Sequence, residues 1–319
     1  MAGLKREARL RADVPAIHVF VAEKARRGYP ASQTSLRSLR KTAVAGHDDH
    51  KSLTSIESRL MDSLESTVLP AAPIPVVGAG RQPRIWKFWG TALWGLFVFA
   101  AMFVGQIAVV AWFVLRQEGP FDVAAAIHVL GGGLTISLSV IMGLPGVLAA
   151  LWIAIRVSRT SFADYLALRW TSWTNFLIGT VALFVLVMGW DLLSRATGRE
   201  VEPGFMGDVL KSASADGALW LLVIAFCVAA PISEEFFARG FLYRGWSESF
   251  LGPAGAVVLS SVVWTGLHLQ YDWFFLGEVF SIGLLFGYLR YRSNSIWLTI
   301  VLHGLNNLAA VVQTIWLAG

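Results

Sequence analysis

Charged residues are scarce in this sequence, and cysteine is almost absent. Asp, Glu, Lys and Arg make up 15% of the 319 residues, against about 25% in soluble domains. The single Cys227 excludes an intrachain disulfide and any metal cluster built on cysteines. Hydrophobic residues reach 55%, and the mean hydropathy is +0.60. This composition excludes an ordinary soluble domain and indicates an integral, multi-pass membrane protein.

The apolar residues fall in long runs that reach the roughly 20 residues a membrane-spanning helix needs. Tryptophans lie near the ends of several runs, as expected for anchors at the membrane interface. We therefore predict an all-α fold, a polytopic transmembrane bundle of about seven spans. The predicted spans are 89–115, 128–155, 173–193, 218–246, 253–271, 273–291 and 296–317.

Glycine and proline add detail to this pattern. The run Gly131-Gly132-Gly133 and the later Pro145 predict a break or kink in the second span. Gly283 and Gly287 have the spacing that allows close helix–helix contact. After the second span, the stretch Arg156 to Trp170 predicts an amphipathic helix lying in the membrane interface.

Positive charge is concentrated before the first span. Residues 1–88 hold 15 basic and 8 acidic residues, whereas the remainder holds 11 and 13. This favours a cytoplasmic N-terminus in contact with the lipid bilayer, and no motif for binding nucleic acid accompanies it. We divide the chain into a basic, weakly structured leader with a Pro-rich linker (1–80), N-terminal transmembrane helices (81–210) and a C-terminal core (211–319).

Three charged residues interrupt the fourth predicted span: Glu234, Glu235 and Arg239. Each charge at mid-membrane costs about 2.5 to 3.5 kcal/mol when nothing compensates it. Glu235 and Arg239 are four residues apart and share a helix face, so we predict a buried ion pair between them. Glu234 is rotated by about 100° from that face, which leaves it as the candidate reactive carboxylate.

Two histidines complete the candidate site. The predicted turn at Leu251-Gly252-Pro253 lies 17 residues from both Glu234 and His268, and an antiparallel hairpin would therefore bring them to equal depth. His303 and Asn307 are four residues apart and share one face of the last span.

These groups are compatible with two kinds of hydrolytic chemistry. Glu234 could act as the base that activates water, with His303 and Asn307 stabilising an oxyanion. Alternatively, Glu234, His268 and His303 could bind zinc as a His₂Glu set with an open water position. A lone transmembrane histidine is more often an interhelical hydrogen-bond partner. The occurrence of all these residues in neighbouring spans makes that simpler interpretation weaker.

The three motifs together resemble the CPBP family of CAAX-protease and bacteriocin-processing (Abi) intramembrane proteases. The family pattern is Glu-Glu-x-x-x-Arg, Phe-x-x-x-His and His-x-x-x-Asn. It is matched by Glu234-Glu235-Phe236-Phe237-Ala238-Arg239 and by His303-Gly304-Leu305-Asn306-Asn307. The second motif departs from the pattern, because Trp264 stands where the family has phenylalanine, four residues before His268.

The resemblance covers about residues 215–312 and implies an endopeptidase with a membrane-embedded cavity. By position, it implies catalytic or supporting roles for Glu234, Glu235, Arg239, His268, His303 and Asn307. The implied substrate is a membrane-anchored peptide or protein, with lipidated CAAX-like chains as one class. Two alternatives stay open: a non-catalytic scaffold or bacteriocin-immunity protein of the same fold, and a proton-coupled transporter with Glu278 and Glu234 as a relay.

Overall fold

The computed structural model describes residues 83–116, 122–199 and 204–318, and these form helices and no strands. The N-terminal helices are α1 (Phe88–Leu115), α2 (Val123–Gly131), α3 (Gly133–Ser158), α4 (Phe162–Leu166) and α5 (Trp173–Ala196). They are followed by α6 (Gly204–Ala215), α7 (Leu219–Ser247), α8 (Gly252–Thr265), α9 (Trp273–Ser293) and α10 (Ile296–Ala318). A short 3₁₀ turn, Gly266–His268, extends α8. The leader at 1–80 lies outside the described residues, so its structure and its cytoplasmic side stay predictions.

Six helices of the described part are long and apolar enough to cross a membrane: α1, α3, α5, α7, α9 and α10. The chain is therefore an integral membrane protein, and its described residues hold six candidate spans, close to the seven predicted. The difference lies in the predicted span 253–271, where α8 has only 14 residues. At about 1.5 Å per residue, such a helix is about 21 Å long and too short to cross the hydrocarbon core.

The predicted break in the second span lies at Gly132, which separates α2 from α3, while Pro145 lies inside α3. The predicted interfacial helix 156–170 is wrong. Arg159 and Ala167 adopt left-handed conformations, at φ 63° and 56°, and they limit α4 to five residues. Tyr165 and Leu166 of α4 are buried in the bundle core and do not face lipid.

Helix α7 occupies the centre of the bundle and contacts α1, α3, α8, α9 and α10. In its most apolar 18-residue window 56% of the residues are buried, against 6% to 39% in the other five candidate spans. A charged residue on α7 can therefore be surrounded by protein on most sides, as buried charges in membranes require. This position explains why the unusual charges of the sequence lie on this helix.

The turns before and after the C-terminal helices agree with the sequence. Gly252, at φ +62°, and Pro253 begin α8 at the predicted turn. The Asp272 carboxylate accepts the backbone N–H groups of Phe274 and Phe275 and so caps α9. Asn294 ends α9 in the left-handed region, at φ 48°, and α10 starts two residues later. These turns fix how deeply His268 and His303 lie in the bundle.

Candidate active site

Helix α7 changes its winding around the two glutamates. Both lie at the end of the α-helical stretch Ala230–Glu235, between the π-helical stretches Ala225–Ala229 and Phe236–Leu242. At the end of the first π-helical stretch, the backbone N–H of Ala230 donates to Ala225 O, five residues earlier. The next bond of this kind would run from residue 231 to Phe226 O, but Pro231 has no backbone N–H to donate. Such wide turns occur frequently at functional sites, and here they border the residues of the first motif.

The Phe226 carbonyl freed by Pro231 has found another partner. The Asn307 Nδ2 atom donates to Phe226 O at 2.8 Å. The close approach of α10 to α7 depends on Gly304, where a Cβ atom would lie 2.7 Å from Cys227 O. Asn307 is thereby fixed against α7, and the second N–H of its amide remains as a donor.

Glu235 and Arg239 form the buried ion pair that their spacing predicts. Arg239 Nη1 donates to Glu235 Oε1 at 2.9 Å, and both side chains are 0% exposed. Arg239 Nη2 also donates to Gly283 O on α9 at 3.1 Å. The guanidinium lies 4.2 Å from the ring centroid of Trp264, within cation–π range. This pair joins α7, α8 and α9 beneath the reactive groups.

His303 is attached to the same ion pair. Its Nδ1 atom lies 3.1 Å from Glu235 Oε1, and its side chain is 4% exposed. A carboxylate paired with Arg239 can only accept hydrogen bonds, so Nδ1 of His303 carries the proton. Glu235 therefore orients this imidazole and leaves Nε2 directed elsewhere.

Glu234 faces a different set of groups from its neighbour. The Trp264 indole Nε1 donates to Glu234 Oε2 at 2.6 Å. His268 Nε2 and His303 Nε2 each lie 3.9 Å from the same oxygen. The two histidines on separate elements thus converge on one carboxylate oxygen, and the proximity of Glu234 to His268 expected from the hairpin is found.

The second ring nitrogen of His268 is also engaged. Its Nδ1 atom lies 3.0 Å from Trp264 O, a carbonyl that can only accept. Nε2 of His268 is therefore the atom available to the site. A gap of 3.9 Å is too long for a direct hydrogen bond and is the kind of separation that a water molecule bridges.

A cavity of about 920 Å³ opens onto this cluster. Glu234, His268, His303 and Asn307 all line it, whereas Glu235 and Arg239 do not. Most of the remaining wall is apolar, with side chains that include Phe99, Met102, Phe184, Leu183 and Val187. The arrangement is an apolar pocket with a few convergent polar groups, the usual form of a small-molecule or peptide site.

Some cavity residues were not expected from the sequence. Tyr271 lies in the loop after His268, with ring centroids 6.0 Å apart, and burial raises its pKa to about 12. It is therefore a neutral phenol that can donate a hydrogen bond. Asp191 and Gln313 also line the cavity and are joined at 3.1 Å. Glu278 lines the same cavity, and the relay through Glu278 and Glu234 stays a prediction from the sequence.

The described site residues are spaced more widely than the ligands of a bound zinc ion. None of their groups of three or more His, Cys, Asp or Glu side chains is arranged to hold a metal. Ligand atoms around tetrahedral zinc lie about 3.3 Å apart, whereas His268 and His303 lie 3.9 Å from Glu234 Oε2. Zinc binding by this set stays a prediction from the sequence.

Part of the chain is similar to a known protein family. Residues 216–309 match the family model "Type II CAAX prenyl endopeptidase Rce1-like". This segment is similar to that family. It contains all six residues singled out by the motifs, and the matching family is of the kind that the sequence resembles.

One curated relative also resembles the chain. A protein of Escherichia coli described as "Uncharacterized 24.3 kDa protein" is 29% identical over 131 residues. The match covers 40% of this chain and 58% of that protein, so the chain spans little more than half the length of this relative. No solved structure matches the chain.

Proposed function

We propose that this protein is an intramembrane endopeptidase that hydrolyses a peptide bond in a membrane-anchored substrate. The observation that carries the proposal is the convergence of His268 Nε2 and His303 Nε2 on one oxygen of Glu234, each at 3.9 Å, at the wall of a large apolar cavity. The match of the surrounding segment to an endopeptidase family supports the same reaction class.

In the proposed reaction, Glu234 is the general base. A water molecule in the gap donates one hydrogen to the Glu234 carboxylate and the other to Nε2 of His268, which leaves its lone pair free to attack. As the water attacks the scissile carbonyl carbon, its proton passes to Glu234. The protonated Glu234 then delivers that proton to the leaving amine nitrogen as the C–N bond breaks.

The negative charge on the carbonyl oxygen needs donors in the tetrahedral intermediate. In this proposal His303 is doubly protonated and donates from Nε2, while its Nδ1–H is held by the Glu235 carboxylate at 3.1 Å. The free N–H of Asn307 is the second proposed donor. In this proposal Glu235 and Arg239 position His303 and do not touch substrate.

Zinc is the alternative way to activate water at this site. Each histidine donates Nδ1–H to an acceptor and presents Nε2 to Glu234, a pattern that metal-ligating histidines also show. If bound, the ion would be held by Glu234, His268 and His303 and would lower the pKa of its bound water.

We further propose that the substrate is anchored in the bilayer, with prenylated CAAX chains as the first class to test. The family description names that class. The apolar cavity wall is suited to a lipidated or hydrophobic chain.

The test is a cleavage assay in liposomes with a farnesylated CAAX peptide that carries a fluorophore and a quencher on opposite sides of the scissile bond. We expect Glu234→Gln and His268→Ala to lower the rate by about 10²- to 10⁴-fold, the usual contribution of a general acid or base. The matched control is Glu248→Gln, a half-exposed glutamate just past the end of α7, which should keep the wild-type rate.

Two outcomes contradict the proposal. One is cleavage at the wild-type rate by both Glu234→Gln and His268→Ala. The other is no cleavage by the wild-type protein of either the farnesylated peptide or a hydrophobically anchored, non-prenylated one. Restoration of a deletion phenotype by Glu234→Ala would instead favour the non-catalytic scaffold.

A further inference from the structure

Trp264 contacts four charged or ionisable groups of the site. Its indole N–H donates to Glu234 Oε2 at 2.6 Å. Its ring lies edge-on to His268 and His303, with centroid distances of 5.0 and 5.4 Å. The Arg239 guanidinium lies 4.2 Å from its centroid. The side chain is only 3% exposed, so water does not compete for these contacts.

The N–H group gives this residue a function that the usual aromatic residue of the motif lacks. Phenylalanine would fill similar space and stack in the same way, but it has no donor for a carboxylate. A hydrogen bond to a charged acceptor is about twice as strong as one between neutral groups. The nearby Arg239 cation, held over the ring, also polarises the indole towards stronger donation.

Glu234 has a clear need for such a donor. Its side chain has three rotatable bonds and is 17% exposed, and the reaction requires one of its oxygens to face two imidazole nitrogens. Glu235 is held by Arg239 and His303 at 2.9 and 3.1 Å, whereas the ion-pair contacts of Glu234 within the described residues are the longer ones, 3.9 Å, to His268 and His303. The Trp264 N–H fixes the oxygen that both imidazoles approach.

We propose that Trp264 is the positioning residue of Glu234: its indole N–H holds the carboxylate oriented towards His268 and His303. This inference rests on the proposed endopeptidase function. Trp264 acts through Glu234 and is not itself a catalytic residue.

The test compares two tryptophans that differ in what their N–H groups bind. Trp264→Phe keeps an aromatic ring and removes the bond to Glu234. The matched control is Trp246→Phe, because Trp246 is 5% exposed and donates to the backbone oxygen of Phe88 at 3.3 Å. Both variants are reconstituted in liposomes and assayed with the farnesylated CAAX peptide for kcat and KM, and their unfolding midpoints are measured in detergent.

We expect Trp264→Phe to lower kcat by about 10- to 100-fold, the size of a lost hydrogen bond to a charged group, with little change in KM. Trp246→Phe should keep the wild-type kcat and KM even if its unfolding midpoint falls as far.

The inference is overturned if Trp264→Phe keeps the wild-type kcat, or if both variants lose activity in proportion to lost stability. A Glu234→Gln variant in the same assay separates this result from failure of the proposed function. Full activity of Glu234→Gln contradicts the endopeptidase mechanism, whereas its inactivity beside a fully active Trp264→Phe contradicts only the role of Trp264.

Discussion

Arg239 is the largest fully buried side chain of the described residues, and its charge has one carboxylate partner. Glu235 Oε1 lies 2.9 Å from Arg239 Nη1, and the same oxygen holds His303 Nδ1 at 3.1 Å. A buried pair of this kind adds little stability compared with apolar residues, but the loss of one partner leaves an uncompensated charge. The ion pair therefore makes the orientation of His303 and the stability of the bundle depend on each other.

This coupling gives a prediction for single and double variants. Arg239→Met should lower the free energy of unfolding by about 3 to 5 kcal/mol, because the Glu235 carboxylate stays buried without a cation. The double variant Glu235→Gln with Arg239→Met should recover much of that stability and still cleave poorly, since His303 has lost its carboxylate. Unfolding midpoints and cleavage rates of the three proteins check this. Equal destabilisation by the single and double variants would contradict the coupling.

At the level of the helices, the fit of α10 against α7 brings two motifs together. Pro231 frees the Phe226 carbonyl, Asn307 donates to it at 2.8 Å, and Gly304 allows the backbones to approach. The π-helical turns on both sides of Glu234 and Glu235 belong to the same arrangement. The positions of His303 and Asn307 thus depend on a helix contact that leaves no space for a Cβ atom at residue 304.

We therefore expect Gly304→Ala to impair both packing and activity. A Cβ atom there would lie 2.7 Å from Cys227 O, so α10 must shift and carry His303 and Asn307 with it. Displacements of about 1 Å at a catalytic group can lower rates by about 100-fold. Gly189→Ala on α5 is the control, because its Cβ would meet nothing within 4 Å. The cleavage rate should fall for Gly304→Ala and stay unchanged for Gly189→Ala; equal rates would contradict this account.

The sequence was sufficient for the parts of the site that depend on regular helical spacing. Hydropathy located the six long spans, and the i,i+4 rule identified the pair Glu235–Arg239. It was not sufficient where the backbone departs from regular winding. The π-helical turns, the shortness of α8 and the five-residue α4 arise from tertiary packing and from left-handed residues such as Arg159 and Ala167. The hydrogen bond from Trp264 to Glu234 became evident only from the three-dimensional packing of α8 against α7. The sequence did show that tryptophan replaces the usual phenylalanine at this position.

For the whole molecule, the bundle surrounds a cavity whose wall holds the reactive groups and whose supporting ion pair lies behind them. Glu234, His268 and His303 come from α7, from the turn after α8 and from α10, and each is fixed by a partner on its own or a neighbouring helix. Since these partners set which nitrogen faces Glu234, the bundle as a whole determines the spacing of 3.9 Å at the centre. That distance has different consequences for the two proposed ways of activating water, which are general-base catalysis by Glu234 and binding of the water to zinc.

A water molecule fits this spacing as it stands, whereas zinc requires each histidine to approach Glu234 by about 0.6 Å, to the roughly 3.3 Å between ligands of a tetrahedral ion. We therefore expect wild-type protein, purified without metal and treated with a chelator, to keep its cleavage rate in the farnesylated-peptide assay. Metal analysis of the wild-type and His303→Ala proteins supplies the second measurement. Stoichiometric zinc in the wild-type protein that is lost in His303→Ala, together with loss of activity on chelation, would show that the bundle contracts around an ion and that Glu234 is a ligand.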